Sequence, residues 1–240
     1  MSWFVHWFDS SYYHTLYKNR DEKEAQTFID NMVQYLQIPE GGKLIDIACG
    51  KGRHAAYFNS LGFDVVGIDL SPNNIRLAKK KASLTLQFSV HDMRKTYHKE
   101  NFDIATNLFT SFGYFEKYTD EQKAINAMAS NLKSGGFLVL DFMNAEKIIA
   151  NLLAKEQKII DGIIFDINRE LKGRRIIKNI CITDGTEKHY FQEKVKALTL
   201  NNFNTLITKA GLKIIDIFGN YKLDNFNLLD SERLILICTK

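Results

Sequence analysis

The chain has 240 residues, 45% of them hydrophobic, and a formal net charge of +4, enough for one good core in a single domain with room for a small appended subdomain. So small a charge, spread along the chain, makes no demand for a nucleic-acid or anionic-membrane partner. Three widely spaced cysteines, Cys49, Cys181 and Cys238, suggest neither a disulfide framework nor a metal site and fit a reducing compartment. With no basic leader or membrane-length apolar run, a cytoplasmic protein is expected.

Tyr13, Leu16, Tyr17 and later Phe28, Ile29, Met32, Val33 and Leu36 recur at helical spacing, predicting two helices over 3–36 with a hinge at Lys18-Asn19-Arg20-Asp21. Pro39 to Gly42 ends the second helix. The apolar run Leu44, Ile45, Ile47, Ala48 then suits a strand covered on both faces, breaking at Gly50 and Gly52 into a helix from Arg53 to Leu61. A strand over 64–68 ends in Asp69, and Ser71 and Pro72 open a helix reaching Ala82. Strands over 84–90 and 102–107 follow, then a helix from Asp120 through Leu132, a glycine turn and a strand over 137–142. This alternation implies a parallel sheet covered on both faces.

From Ile159 to Leu198 the texture changes to long alternating segments split at 172–174 and 184–186, predicting three antiparallel strands. A helix over 201–210 and strands over 213–218 and 234–238 complete the chain. The expected organisation is one domain, 1–240: a helical cap over 1–38, a core over 39–150 and 199–240, and an antiparallel lid inserted over 151–198.

The organising feature is the turn after the first strand. Gly50-Lys51-Gly52-Arg53-His54-Ala55 matches a dinucleotide fingerprint with alanine in the last position, and Lys51, Arg53 and His54 would suit phosphate. Asp46 points the other way: a carboxylate here repels a pyrophosphate and favours a cofactor bearing an ammonium or sulfonium. Asp69, 19 residues beyond Gly50, can accept from both ribose hydroxyls in either case. A nicotinamide-dependent oxidoreductase therefore stays open at this point, as does a cofactor-binding protein without transfer activity.

Several separate stations resemble the class I S-adenosylmethionine-dependent methyltransferases: Asp46-Ile47-Ala48-Cys49-Gly50-Lys51-Gly52, Gly67-Ile68-Asp69-Leu70-Ser71, His91-Asp92-Met93 and Lys133-Ser134-Gly135-Gly136-Phe137. The segments Trp7 to His14, Asn107 to Phe115 and Ser231 to Leu236 are similar to a bacterial small-molecule group of undefined substrate. The resemblance implies an α/β, Rossmann-like sheet of seven mostly parallel strands sandwiched by helices. It implies S-adenosylmethionine as cofactor, with S-adenosylhomocysteine as product, a small-molecule acceptor, and a monomer or homodimer. Asp46 would serve the methionyl ammonium, Asp69 the ribose and Asp92 the adenine amino group, with Leu70 and Met93 sandwiching the ring. Arg20, assisted by Tyr17, would hold the carboxylate. Ala48 stands where the family often has glycine, and Gly50, Gly52 and Asn107 complete the cofactor set. Asn107-Leu108-Phe109-Thr110 lacks the Pro-Pro-aromatic sequence of methyltransferases acting on nucleic-acid amino groups. Tyr13, His14, Phe109 and Tyr114 are the acceptor-side candidates, His14 being the one whose side chain titrates near neutrality.

Overall fold

The structure, a computed structural model, describes residues 3–18 and 22–240. It opens with α1 (Trp3–Phe8), α2 (Ser11–Leu16) and α3 (Glu22–Leu36). The first expected helix is thus two. Ser10 divides them: its hydroxyl accepts from the Tyr13 amide (3.1 Å), capping α2, and donates to the Trp7 carbonyl (2.8 Å), closing α1.

The core alternates β1 (Lys43–Ile47), α4 (Arg53–Ser60), β2 (Asp64–Asp69), α5 (Pro72–Ala78), β3 (Leu86–Val90), β4 (Phe102–Asn107), α6 (Tyr118–Asn131), β5 (Leu132–Met143) and α7 (Ala145–Ala150). The chain closes with α8 (Leu200–Lys209), β10 (Lys213–Phe218) and β11 (Arg233–Thr239). Seven strands form one sheet in the order β10-β11-β5-β4-β1-β2-β3. Strands β1 to β5 pair in parallel, and β11 runs antiparallel to both β5 and β10. The expected fold class is the one observed. The central strands are buried on both faces, as apolar β1 requires, and helices cover each side: Phe28, Ile29, Met32 and Phe58 on one, Ile125, Met128, Phe203 and Leu206 on the other. Each such side chain contributes about 1.5–3 kcal/mol through burial.

Between α7 and α8 stands a separate sheet of four antiparallel strands, β6 (Lys155–Ile160), β7 (Ile163–Lys172), β8 (Arg175–Asp184) and β9 (Glu187–Lys196). Three were expected. The extra strand, β6, is largely exposed and carries no clear alternation, but it turns into β7 at Asp161-Gly162, where φ is 53° and 79°. Such a pair at positive φ is the mark of a two-residue hairpin turn. Trp7 and Leu16 of the cap pack on Phe165, Ile167, Ile180 and Ile182 of this sheet, forming a third apolar cluster. At the far end of β9, Lys196 makes a buried ion pair with Glu121 of α6 at 2.7 Å, which ties the sheet to the core.

Candidate active site

In sheets of this kind ligands bind outside the carboxyl ends of the strands where the strand order reverses. Here that point lies between β1 and β4, and a cleft of about 730 Å³ opens there, walled by the glycine turn, the strand ends, the cap and β9.

The turn is built by a chain of backbone bonds. The Cys49 amide donates to the Ile68 carbonyl and the Gly52 amide to the Cys49 carbonyl, both at 3.0 Å. Gly50 and Gly52 sit at φ 56° and 71°, as expected of glycines in a tight strand-to-helix turn. They differ in function. A Cβ on Gly50 would meet nothing within 4 Å and Gly50 lines the cleft, whereas a Cβ on Gly52 would lie 2.5 Å from the Phe88 ring. Gly52 therefore lets α4 pack on β3, and unlike Gly50 it is not among the residues that line the cleft. Ala48 also stands at positive φ (64°), strained as no glycine would be, and lines the cleft.

Two carboxylates face the cleft beside this turn. Asp69 accepts from the Gly50 amide (2.9 Å) and the Ser71 amide (2.8 Å), one on each oxygen, leaving lone pairs on both. Burial raises its pKa, while the two amides and Asn74 oppose that rise. Asp46 is 2% exposed; its Oδ1 accepts from Thr106 Oγ1 at 3.1 Å, but Oδ2 has no hydrogen-bond partner. Desolvation lifts its pKa to about 7, tempered by Thr106 and by the nearby Ala55 amide and reinforced by the charge of Asp69.

Asp92, Met93 and Leu70 line another part of the cleft. Asp92 is held in a fork by its neighbour Arg94, whose Nε lies 3.0 Å and Nη2 2.6 Å from Asp92 Oδ2, and this keeps its carboxyl below the usual range. Tyr13, His14, Tyr17, Phe109 and Tyr114 also line the cleft. Asn107 does not: it is fully buried and its Nδ2 donates to the Ile47 carbonyl (3.0 Å), bracing β4 against β1. Arg20 lies outside the described residues.

Among the cleft residues that the sequence did not point to, three shape its wall. Glu193 accepts from Trp7 Nε1 (2.5 Å) and from the Tyr17 hydroxyl (2.9 Å), joining cap to sheet; its signal was a charged residue on the face of β9 that it shares with Phe191 and Val195. Thr110 follows Phe109 in a loop where both residues adopt positive φ, 57° and 61°. Arg233 fixes that loop with the fully buried Asp141: Asp141 Oδ2 accepts from the Phe109 amide (2.7 Å), Arg233 Nε donates to Asp141 Oδ1 (2.8 Å), and Arg233 Nη2 donates to Thr110 Oγ1 (2.9 Å). The Phe109 ring stacks on His54 at 4.5 Å between centroids.

Residues 44–136, which hold the turn and every strand end named above, match the family model described as a methyltransferase domain. Over that stretch the chain resembles the class I methyltransferases. Its relatives include a putative methyltransferase, YqeM, of Bacillus subtilis, 29% identical over 133 residues, 53% of this chain and 54% of that one. Another is a dTDP-3-amino-3,4,6-trideoxy-alpha-D-glucopyranose N,N-dimethyltransferase of Streptomyces venezuelae, 31% identical over 106 residues, 44% of each chain. The chain spans about half the length of the curated relatives it matches first. Among solved structures, an S-adenosylmethionine-dependent methyltransferase from Clostridium acetobutylicum shares the fold at a TM-score of 0.81 and 18% identity, covering 98% of this chain and 97% of that one. The cofactor of this domain class is S-adenosylmethionine, and the donor set fits it: a methyltransferase domain with an unpartnered buried carboxylate oxygen at Asp46 suits a cationic methionyl end and disfavours a pyrophosphate. Among the described residues no helix is long and apolar enough to cross a membrane.

Proposed function

We propose that the protein transfers a methyl group from S-adenosylmethionine to an oxygen, nitrogen or other nucleophile of a small molecule, releasing S-adenosylhomocysteine. The observation that carries this reading is Asp46: a wholly buried carboxylate whose free oxygen lacks a partner, on the wall of the cleft next to the glycine turn. In a dinucleotide enzyme it would be a repulsive defect; beside an ammonium it becomes a satisfied charge pair.

Bound in the cleft, S-adenosylmethionine supplies a methyl group already activated by the adjacent sulfonium. What remains for this chain is to position and to exclude water. Asp46 accepts from the ammonium, Asp69 uses its spare lone pairs for the ribose hydroxyls, Asp92 accepts from the adenine amino group, and Leu70 and Met93 flank the ring. Tyr13, His14, Phe109 and Tyr114 surround the acceptor, and the loop from Phe109 to Thr110, held by Asp141 and Arg233, sets where its nucleophile stands. A proton has to be removed only from a neutral hydroxyl or a protonated amine. His14 can accept it, since burial, together with Lys51, lowers its pKa and keeps it neutral. A small-molecule acceptor is supported by the amino-sugar enzyme among the relatives and by the size of the cleft. The working unit is one domain with the lid over 151–198, as monomer or homodimer, in the cytoplasm.

The test is formation of S-adenosylhomocysteine from S-adenosylmethionine in the presence of fractionated bacterial metabolites. Turnover with one or more fractions supports the reading; binding of the cofactor with no turnover in any fraction would make the protein a binder that has lost transfer.

A further inference from the structure

Asp46, Asp69 and Asp92 stand near the ends of β1, β2 and β3, on one half of the sheet, and β5 and β11 belong to the other half. Because β11 runs antiparallel to β5, its first residue, Arg233, pairs with Met143, the last residue of β5, and so reaches the edge where the parallel strands present their carboxyl ends. Its guanidinium is held on one side only. Nε and Nη2 each lie 2.8 Å from Asp141 Oδ1, Nη2 also donates to Thr110 Oγ1 (2.9 Å), and Cζ lies 5.5 Å from the centre of the Tyr221 ring. Nη1 has no hydrogen-bond partner among the described residues, and the side chain, 18% exposed, lines the cleft. Thr110 is in the same condition. Its hydroxyl accepts from Arg233, the hydroxyl proton has no acceptor among the described residues, and Thr110 too lines the cleft. Phe109 and Thr110 hold this place at φ 57° and 61°, a conformation costly for an aromatic or β-branched residue, and strain of this kind gathers where a loop meets a ligand.

We infer that Arg233 and Thr110 form a subsite that recognises a carboxylate on the methyl acceptor. The inference rests on the proposed methyl-transfer reading, and it puts the acceptor on the β5 and β11 half of the cleft with the cofactor on the β1 to β3 half. Both groups present protons, so they suit an oxygen with lone pairs and disfavour an ammonium. The charge favours an anion over a neutral carbonyl: Asp141 shares its negative charge with the Phe109 amide (2.7 Å) and the Tyr221 hydroxyl (3.3 Å), which leaves the guanidinium only partly neutralised. Glu193, the acid that the lid brings to the cleft, is taken up by Trp7, Tyr17 and Lys178. Beside the donor pair the wall is apolar, with Met143 opposite Arg233, Phe112 two residues beyond Thr110, and Phe115 and Ile148 also lining the cleft. An acceptor that fits both parts carries its carboxylate on a compact apolar body.

The experiment is an NMR titration of the protein loaded with S-adenosylhomocysteine against benzoate, benzamide and benzylamine, which share a ring and differ in the group that the subsite reads. The wild type should bind benzoate at least about 10-fold more tightly than either of the others. Two variants are compared with it: Thr110→Val, which keeps the side-chain shape and the ion pair, and the double variant Asp141→Asn/Arg233→Met, which removes the guanidinium without leaving a buried carboxylate unpaired. Thr110→Val should lose about 10-fold in benzoate affinity, and the double variant should lose the preference for benzoate over benzamide, with S-adenosylhomocysteine still bound by both. A role confined to bracing the loop would weaken benzoate and benzamide alike. A wild type that binds benzoate no better than benzamide, unchanged benzoate affinity in Thr110→Val, or a preference kept in the double variant overturns the inference and leaves the methyl-transfer reading standing. If the double variant does not fold, the wild-type ranking and Thr110→Val decide. Failure of the wild type to bind S-adenosylhomocysteine defeats the methyl-transfer reading and this inference with it.

Discussion

Asp46→Asn is the substitution that separates stability from function most sharply in this protein. Burial raises the folded-state pKa of Asp46 from an ordinary 3.8 to about 7, so the folded protein holds a proton there that the unfolded chain gives up. The stability tied to that proton is fully present below about pH 4 and is lost as pH rises through 7. A gap of this size amounts to roughly 4 kcal/mol in total, most of it between pH 5 and 8. Asparagine matches the protonated acid in shape and hydrogen-bonding pattern but cannot ionise. The variant should therefore gain about 2–3 kcal/mol on the wild type between pH 5 and pH 8, read by urea denaturation without cofactor. At the same time it loses the charge proposed to meet the ammonium, and its affinity for S-adenosylmethionine at pH 8 should fall at least 10-fold. A wild-type minus variant difference that stays flat from pH 5 to 8 would refute the buried-charge argument. Unchanged cofactor affinity would refute the role assigned to the charge.

The other predictions concern the backbone and the loop. Ala48→Gly removes the strain of a left-handed alanine and, after the added chain entropy of glycine, should stabilise the protein by about 0.5–1 kcal/mol, a rise of a few degrees in Tm by calorimetry. Gly52→Ala should cost more than about 3 kcal/mol because its Cβ collides with the Phe88 ring. Gly50→Ala has open space for its Cβ and should cost about 1–2 kcal/mol from φ alone while weakening cofactor binding; denaturation and calorimetry on the pair distinguish packing from contact. Asp141→Asn leaves the Arg233 guanidinium buried without its carboxylate and should cost about 3–5 kcal/mol, measured as a fall in denaturation midpoint.

The parts of the fold that were legible in the sequence are those with local causes. A doubly buried strand needs continuous apolar residues and a tight turn needs glycines, so β1, β2 and the turn could be read directly, and Asp69 stands on the cleft wall beside that turn. The break at Ser10 was hidden because aromatic spacing continues across it from Trp7 to Tyr13 while the cap depends on one hydroxyl. Strand β6 was hidden because its exposed residues do not alternate, though Asp161-Gly162 announced its turn. Asn107 was read as a ligand because it sits at a strand end like Asp69; its amide faces the neighbouring strand instead, and only the packing of β1 on β4 decides that. The clamp on the Phe109 loop was out of reach: Arg233 and Asp141 are 92 residues apart, and they meet because β11 inserts antiparallel beside β5, a pairing that no local pattern encodes.

The central claim is that this cleft was built for a cationic methyl donor and not for a dinucleotide, and one titration addresses it. Calorimetry of the wild-type protein against S-adenosylmethionine and, separately, NADH should give saturable binding at one site for the first and no heat of binding for the second. Saturable binding of NADH with none of S-adenosylmethionine would contradict it.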